Sequence, residues 1–395
     1  MRIHTVGVGE DTASIAKRYG IHEQNLIFTN ELENASPAVG EELLILTPTR
    51  THRVIYGDTL ERLALRYGVS VRDIIKMNPQ IFEKGLVPGS IVGVRSSEKI
   101  YGTAVTNGYF YSDCSRRRLE RALPYLTYVT FGSAVIEGGG ARWIFDASDA
   151  VRTVIENDKI PLLRVFNRES EKKYESDEYR KRYIETLISL AKSQGYKGIV
   201  FGGGGGLGEG LSEFLLEMKK NIIGSDLILF TEVTPGSDVS LTECADGSIF
   251  SYFKLECDPI PSFSEGERSA FEKFATDADS IKSFVDIIAL AKIEEGFLEI
   301  GDAMNVARKS GAKIRRDEST LISSFEDRKI GKCHYPSLEY IKAVLALLGE
   351  YGFMGISFDI MKTPLSYLLM YNDMFGTAHH TSQRAAEGCS RARAE

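Results

Sequence analysis

The 395-residue chain has no excess of basic charge: 48 Lys and Arg stand against 55 Asp and Glu, a formal net charge of -7. Without a positive field a chain does not hold a phosphate backbone, so nucleic acid is excluded as the expected partner. Paired cysteine is also missing. Cys114, Cys244, Cys257, Cys333 and Cys389 are odd in number, far apart and free of any C-x-x-C spacing, which excludes a disulfide framework and a zinc site and leaves reduced thiols. No run approaches the roughly 18 apolar residues of a membrane span. Met1-Arg2-Ile3-His4-Thr5-Val6 enters patterned sequence directly, without the apolar core of a signal peptide, so synthesis in the cytoplasm and no membrane partner are expected. The one adjacent histidine pair, His379-His380, falls in an aperiodic polar tail, and neither a metal nor a cofactor is expected. Tryptophan occurs once, at Trp143.

What is present is length and balance. With 43% hydrophobic and 26% charged residues, the chain can build two or three domains and at least one large core. The first hundred residues contain a duplication at an offset of 48: Val6 with Val54, Gly9 with Gly57, Ile15-Ala16 with Leu63-Ala64, Arg18-Tyr19-Gly20 with Arg66-Tyr67-Gly68, and Asn30 with Asn78. Each copy reads as strand, helix, helix, strand. In the second, Asp58-Thr59 caps a helix that Gly68 ends, a second helix covers Val71 to Met77, and Pro88-Gly89 turns into a closing strand, Ile91 to Val94. The copies differ in charge. Residues 1–48 carry 3 basic against 7 acidic residues and residues 50–96 carry 8 against 4, and two solvated faces of opposite sign are expected.

The second copy, with Tyr56-Gly57-Asp58-Thr59-Leu60, Leu63-Ala64, Arg66-Tyr67-Gly68-Val69, Met77-Asn78-Pro79 and Val87-Pro88-Gly89, resembles the lysin motif (LysM). The first copy departs from it, with Gly9-Glu10-Asp11-Thr12 for Gly-Asp-Thr-Leu and Asn30-Glu31 for Asn-Pro. The resemblance implies binding of N-acetylglucosamine-containing glycan, peptidoglycan or chitin, in a shallow groove between the loop after the first strand and the loop after the second helix. In the second copy those loops supply Gly57, Asp58, Thr59, Leu60, Asn78, Pro79 and Ile81; in the first, Gly9, Glu10, Asp11, Thr12 and Asn30. Capping and turn roles are the alternative for these loop residues, Asp58 and Asn78 included.

After a polar linker at 97–102, strand-like runs alternate with helical patterns. The runs are Thr103–Tyr109, Leu126–Phe131, Ile160–Phe166, Gly198–Phe201, Leu227–Val233, Ser248–Phe253, Phe284–Leu290 and Gly355–Ile360, with helices such as Tyr183–Ser193, Leu211–Lys220 and Leu338–Leu348. Eight strands each followed by a helix specify an α/β fold, a (β/α)8 TIM barrel over 100–375. An α+β insertion at 296–335 separates strands 7 and 8, with a helix over Asp302–Ser310 and a hairpin near Asp327–Gly331. Two small βααβ LysM domains, 1–48 and 50–96, precede the barrel, and a disordered tail, 376–395, follows it.

The order of elements, together with Cys333-His334-Tyr335 and the stretch from Glu350-Tyr351-Gly352 to Gly355-Ile356-Ser357, resembles glycoside hydrolase family 18, in its branch of spore cortex-lytic and germination glucosaminidases. The resemblance implies a spore coat or envelope location and spore coat proteins as further partners. The family's D-x-x-D-x-D-x-E signature follows a Gly-Tyr pair on the fourth strand. Aligned on Gly195-Tyr196, it places Lys197, Val200, Gly202 and Gly204 where the four acids belong. Family members protonate the leaving oxygen with the last Glu and orient the substrate's N-acetyl group with the neighbouring Asp, and glycine can do neither. A positioned general acid contributes about a hundred- to ten-thousand-fold in rate, so the family's usual chemistry is expected to be absent.

Elsewhere the pattern also departs. Phe358-Asp359 stands where the eighth strand usually ends in Trp, and Phe250-Ser251-Tyr252-Phe253 stands for Met-x-Tyr-Asp/Glu; Tyr252 and Phe358 are the expected sugar-groove residues. Three relocated carboxylates could replace the lost acids: Glu232 opposed by Asp359, and Glu209 on the glycine loop. Their bland alternatives are a polar rim and a helix N-terminal acid. Gly203-x-Gly205-x-x-Gly208 also fits a pyrophosphate loop, but it follows three earlier strands instead of opening its domain. The function expected is glycan binding by a catalytically inactive barrel, with an active glycosidase or a structural coat-assembly protein as alternatives.

Overall fold

A computed structural model describes residues 1–33, 36–95, 101, 103–137, 140–168, 176–202, 209–223, 225–233, 245–251, 272, 283–287 and 290–377. The expected tail from residue 378, with His379-His380, most of the linker, and Cys244, Cys257 and Cys389 lie outside these residues.

Both repeats fold as their patterning dictates. Arg2–Thr5 pairs antiparallel with Glu42–Ile45 over helices Thr12–Tyr19 and Glu23–Thr29, and Arg50–Arg53 pairs with Ile91–Arg95 over Leu60–Tyr67 and Val71–Met77. Thr59 caps its helix by accepting from the Arg62 amide, and Gly68, at φ 64°, ends it in the left-handed region. Each repeat has its own small core, centred on Ile15, Leu26 and Leu43 in the first and on Leu63, Ile74 and Val92 in the second.

Eight parallel strands then close into a barrel: β1 Thr103–Phe110, β2 Tyr128–Glu137, β3 Ile160–Asn167, β4 Gly198–Gly202, β5 Ile228–Val233, β6 Gly247–Ser251, β7 Ser283–Ile287 and β8 Gly355–Asp359. Each pairs with the next, and β8 pairs back onto β1. Alternation divides the side chains. Leu162, Val200, Phe230, Ile249 and Phe284 fill the lumen, while Leu163, Ile199, Leu229, Val285 and Phe358 pack outward under the helices.

Two strand boundaries differ from expectation. β2 runs on to Glu137 and turns back as Gly140–Trp143, an antiparallel arm in which Trp143 stacks on Tyr196 with ring centroids 6.3 Å apart. The apolar run expected as one strand over Phe284–Leu290 serves two sheets: β7 ends at Ile287, and Leu290–Ile293 begins the insertion. The insertion is a five-stranded antiparallel sheet carrying the helix Ile300–Ser310, and it includes the expected hairpin, with Asp327 paired to Gly331.

The charge asymmetry of the repeats has a structural use that solvated faces would not give. Glu31, Glu33, Glu41 and Glu42 of the first repeat pair with Arg118, Arg121, Arg308 and Arg316 of the barrel and insertion. The Arg308–Glu41 contact is 2.7 Å long, with side chains only 7% and 2% exposed. Arg308 also donates to the carbonyls of Asn30 and Glu31 at 3.1 and 3.0 Å. Glu31 accepts from the Leu365 amide at 2.9 Å and Glu42 from the Glu339 amide at 3.1 Å, so acid side chains satisfy the first turns of helices Leu365–Met374 and Leu338–Glu350. The first repeat is thereby fastened to the barrel.

Cys114 and Cys333 are buried free thiols, each pushed up to about 12 chiefly by burial. Among the described residues, no helix is long and apolar enough to cross a membrane and no cluster of His, Cys, Asp or Glu could hold a metal.

Replacing Glu41 by Ala strands the buried Arg308 charge and is expected to cost about 3–5 kcal/mol in urea denaturation of the full chain. Replacing Glu41 and Arg308 together by apolar residues should cost much less, and equal losses for the single and double changes would show that the pair does not hold the interface.

Candidate functional site

Side chains from alternate strands meet at the carboxyl end of the barrel. Two residues beyond the apolar layer of Leu162, Phe230 and Phe284 stand Arg164 on β3, Glu232 on β5 and Asp286 on β7, joined by Tyr109 from β1. Arg164 Nε and Nη2 donate to Glu232 Oε1 and Oε2, both at 2.6 Å, and Tyr109 Oη donates to Oε1 at 2.9 Å. Since β1 and β5 are opposite one another in a ring of eight, that hydrogen bond crosses the lumen. Arg164 Nη1 donates to Tyr111 Oη at 3.1 Å, and the guanidinium lies 4.2 Å from the Phe166 ring centroid.

Electrostatics keep the cluster in that state. Burial, with the Glu232 and Asp286 charges, pushes the Tyr109 phenol well above its ordinary range, so it remains a donor. Burial alone would lower Arg164, but the Glu232 charge and hydrogen bonds outweigh it and hold the guanidinium above its ordinary value. Both Glu232 oxygens accept from these donors, so the carboxylate serves the protein's own cation. Below, the buried Asn107 accepts from Thr130 at 2.7 Å and donates to Ser357 at 2.9 Å.

Gly202 ends β4 beside this cluster. A Cβ there would lie 2.4 Å from Glu232 Oε2 and 3.2 Å from Arg164 Nε, so the ion pair occupies the space that any side chain at 202 would need. Val200 lies one step deeper, buried in the lumen. Gly204, the whole Gly203-x-Gly205-x-x-Gly208 pattern and Tyr252 lie outside the described residues. Glu209 opens the helix Glu209–Ile222, and its carboxylate is outside them too.

Glu232 and Asp359, considered from sequence as a facing acid–base pair, each have partners of their own. Their strands are three places apart in the ring, and each carboxylate is engaged locally. Asp359 Oδ1 accepts from the Met361 and Lys362 amides at 2.9 and 3.1 Å; burial pushes its carboxyl up, and those amides work against the shift. Phe358 is a further correction. Neighbouring strand residues face opposite ways, so Asp359 is directed to the mouth and Phe358 packs in the outer core, not in a sugar groove.

The repeats' polar loop residues are occupied as well. Asp58 Oδ2 accepts from the Ile55 amide at 2.8 Å and meets His52 Nε2 at 2.8 Å, and His52 Nδ1 meets Tyr67 Oη at 2.8 Å. The first repeat builds the same relay from Glu10, the Gly7 amide, His4 and Tyr19. Asn78 is buried, donating to the carbonyls of Ile74 and Gly93 and accepting from the Gly93 amide, and Asn30 does the same with Leu26 and Leu44. Asp11 and Thr59 cap helices, Thr12 donates to Glu23 at 2.5 Å, Pro79 and Ile81 are buried, and Leu60 is half-buried. Gly9 and Gly57, at φ 78° and 90°, make the turns. These side chains therefore shape the loops, the role that the sequence had left as the alternative to glycan contact.

What the loops turn outward is apolar: Tyr56 is 94% and Ile55 59% exposed in the second repeat, and Val8 is 86% exposed in the first. The two grooves are not equivalent. In the first repeat the second wall, Asn30–Glu31, is held against the barrel by Arg308 and Arg118. The second repeat meets the barrel through the Lys76 carbonyl, which accepts from Tyr125 at 3.2 Å, and its first loop is left open.

Residues 4–45 and 52–92 match the LysM domain, so the chain carries two LysM domains. Over 210 residues the chain is 26% identical to the putative sporulation-specific glycosylase YdhD of Bacillus subtilis, covering 50% of this chain and 49% of that one; the chain spans about half the length of that relative. Among solved structures, the spore cortex-lytic enzyme SleL of Bacillus megaterium covers 96% of this chain and 99% of its own, at 18% identity and a TM-score of 0.73. A chitinase of Chromobacterium violaceum covers 69% of this chain and 99% of its own, at 16% identity and a TM-score of 0.60. The barrel thus has the fold of these enzymes, a likeness of architecture that by itself says nothing of activity.

Gly202→Ala is expected to cost about 1–3 kcal/mol in denaturant unfolding because its methyl group would collide with Glu232. In a Glu232→Ala background the same change should cost at least about 1 kcal/mol less. Additive losses would mean that the glycine and the ion pair are independent.

Proposed function

We propose that the protein binds N-acetylglucosamine-containing glycan, peptidoglycan foremost, at the spore envelope and does not cleave it. The observation that carries the non-catalytic half is the Arg164–Glu232 pair seated over Gly202. A retaining or inverting glycosidase needs room for the sugar at the carboxyl ends of its strands and a carboxylic acid free to give up a proton. Here that room holds a guanidinium, and the Glu232 carboxylate is taken on both oxygens. The family signature, with glycine for its last two acids, agrees with this reading, and the relocated-acid alternative loses Glu232 as a donor.

Binding rests on the second LysM domain. Its first loop exposes Tyr56 and Ile55, and an exposed aromatic ring beside backbone donors is a surface on which an acetamido sugar can stack. The first LysM domain acts as the fastener that fixes this surface relative to the barrel. The likeness to a sporulation-specific glycosylase and a spore cortex-lytic enzyme supports a place in the spore envelope, with spore coat proteins as further partners.

The full chain is expected to sediment with insoluble peptidoglycan. Tyr56→Ala should weaken retention about tenfold, the effect of losing a stacking ring worth ~1–1.5 kcal/mol, whereas Val8→Ala should change it less than about twofold. Reducing ends should not accumulate. Protein remaining in the supernatant would remove the binding half of the proposal, and release of reducing ends by the full chain would remove the other.

A further inference from the structure

The two LysM domains differ around their first loops in charge as well as in apolar exposure. At the offset that aligns them, Tyr56 stands for Val8, Ile55 for Gly7, Arg53 for Thr5 and Arg62 for Ser14. The first copy, which is fastened to the barrel, thus has no cation at either place, and its Ser14 completes a capping box with Asp11. The second copy has two.

Both arginines are tied to the backbone of the loops they flank. Arg62 Nη1 donates to the Gly57 carbonyl at 3.1 Å, one residue beyond Tyr56, and Arg53 Nη1 donates to the Gly89 carbonyl at 3.0 Å. These carbonyls belong to adjoining turns: the Gly89 amide donates to the Val54 carbonyl at 2.7 Å, and the Val54 amide to the Ser90 carbonyl at 2.9 Å. The same turns carry the exposed Ile55, Tyr56 and Val87.

Neither arginine makes an ion pair among the described residues. The acids nearest in the chain are engaged elsewhere, Asp58 with His52 and the Ile55 amide, Glu61 with its own amide and the Thr59 hydroxyl. Arg50, Arg66 and Arg95 form a separate group on Tyr67, the first two over its ring at 4.9 and 5.7 Å and the third on its carbonyl at 3.3 Å. A guanidinium tethered through Nη1 keeps its Nε–Nη2 edge, the edge that matches a carboxylate with two parallel hydrogen bonds. The tether also fixes the direction of a side chain that would otherwise lose much freedom on binding.

We propose that Arg53 and Arg62 make the second LysM domain selective for N-acetylated glycan that carries carboxylates on its sugar substituents, as peptidoglycan does and chitin does not. The sugar stacks on Tyr56 and the carboxylate is taken on a free guanidinium edge beside it. This rests on the glycan reading above and narrows its substrate class.

Calorimetric titration of the full chain with three oligomers of equal length tests the selectivity: neutral N-acetylglucosamine, the alternating N-acetylglucosamine–N-acetylmuramic acid strand with free lactyl carboxylates, and that strand with peptide stems. A carboxylate-bearing strand should bind about tenfold tighter than the neutral one, the effect of one charge-assisted pair. Arg53→Gln and Arg62→Gln should each remove about three- to tenfold of that affinity, and Arg62→Lys less, because a lysine keeps the charge without the fork. Binding of the neutral oligomer should stay within about twofold throughout, which also shows that the loops keep their shape. An arginine-dependent gain already present with the free lactyl strand places the carboxylate on the sugar, and one that needs the stems places it on the peptide; either upholds the proposal. Equal affinity of the wild type for all three oligomers would overturn it and leave the glycan reading intact, as would variants that lose neutral and acidic strands alike. If no oligomer binds, the glycan reading itself fails and the selectivity with it.

Discussion

The ion pair between Arg164 and Glu232 governs the functional end of this barrel. Two charges drawn partly out of water need hydrogen-bond partners, and here the hydroxyls of Tyr109 and Tyr111 add to those the pair makes with itself. That arrangement demands space. The pair sits where a side chain on β4 would otherwise point, so glycine at 202 is required by the pair as much as the pair is permitted by the glycine. The cluster cross-braces the carboxyl end of the barrel, joining residues of β1, β3 and β5.

A second set of charges performs a different task at the other end of the chain. The duplicated repeats share their relay of histidine, carboxylate and tyrosine, and each locks its asparagine between helix and strand, so their backbones are maintained alike. Their outer surfaces have diverged. The acidic copy spends four glutamates on arginines of the barrel and insertion, two of those glutamates also satisfying helix first turns. The basic copy keeps an apolar loop in solvent. The same fold is a fastener in one case and keeps its first loop exposed in the other.

Much of this was visible in the residues. The duplication announced two domains, and the offset that aligned Asn30 with Asn78 also aligns His4 with His52, so the shared relay was within reach. Arg164 had a signal too: it is the only charged residue in the otherwise apolar Ile160–Phe166 run, and a lone charge on a lumen strand must find a partner inside. Its partner was not readable. Glu232 is 68 residues away and reaches Arg164 only because their strands flank β4 and turn both side chains into the lumen. The same holds for Phe358 and Asp359, adjacent in sequence and sent to opposite sides of the sheet by a register that closure sets.

By itself the sequence determined the elements and their order, because periodicity, caps and turn glycines act over a few residues. It also determined that positions 202 and 204 carry no acid, since a glycine cannot give up a proton whatever surrounds it. Only the tertiary structure decided what stands beside Gly202 and which of the two LysM domains is fastened to the barrel. Those outcomes depend on contacts between residues tens to hundreds of positions apart, and such contacts exist only once the barrel has closed and the first domain has docked against it.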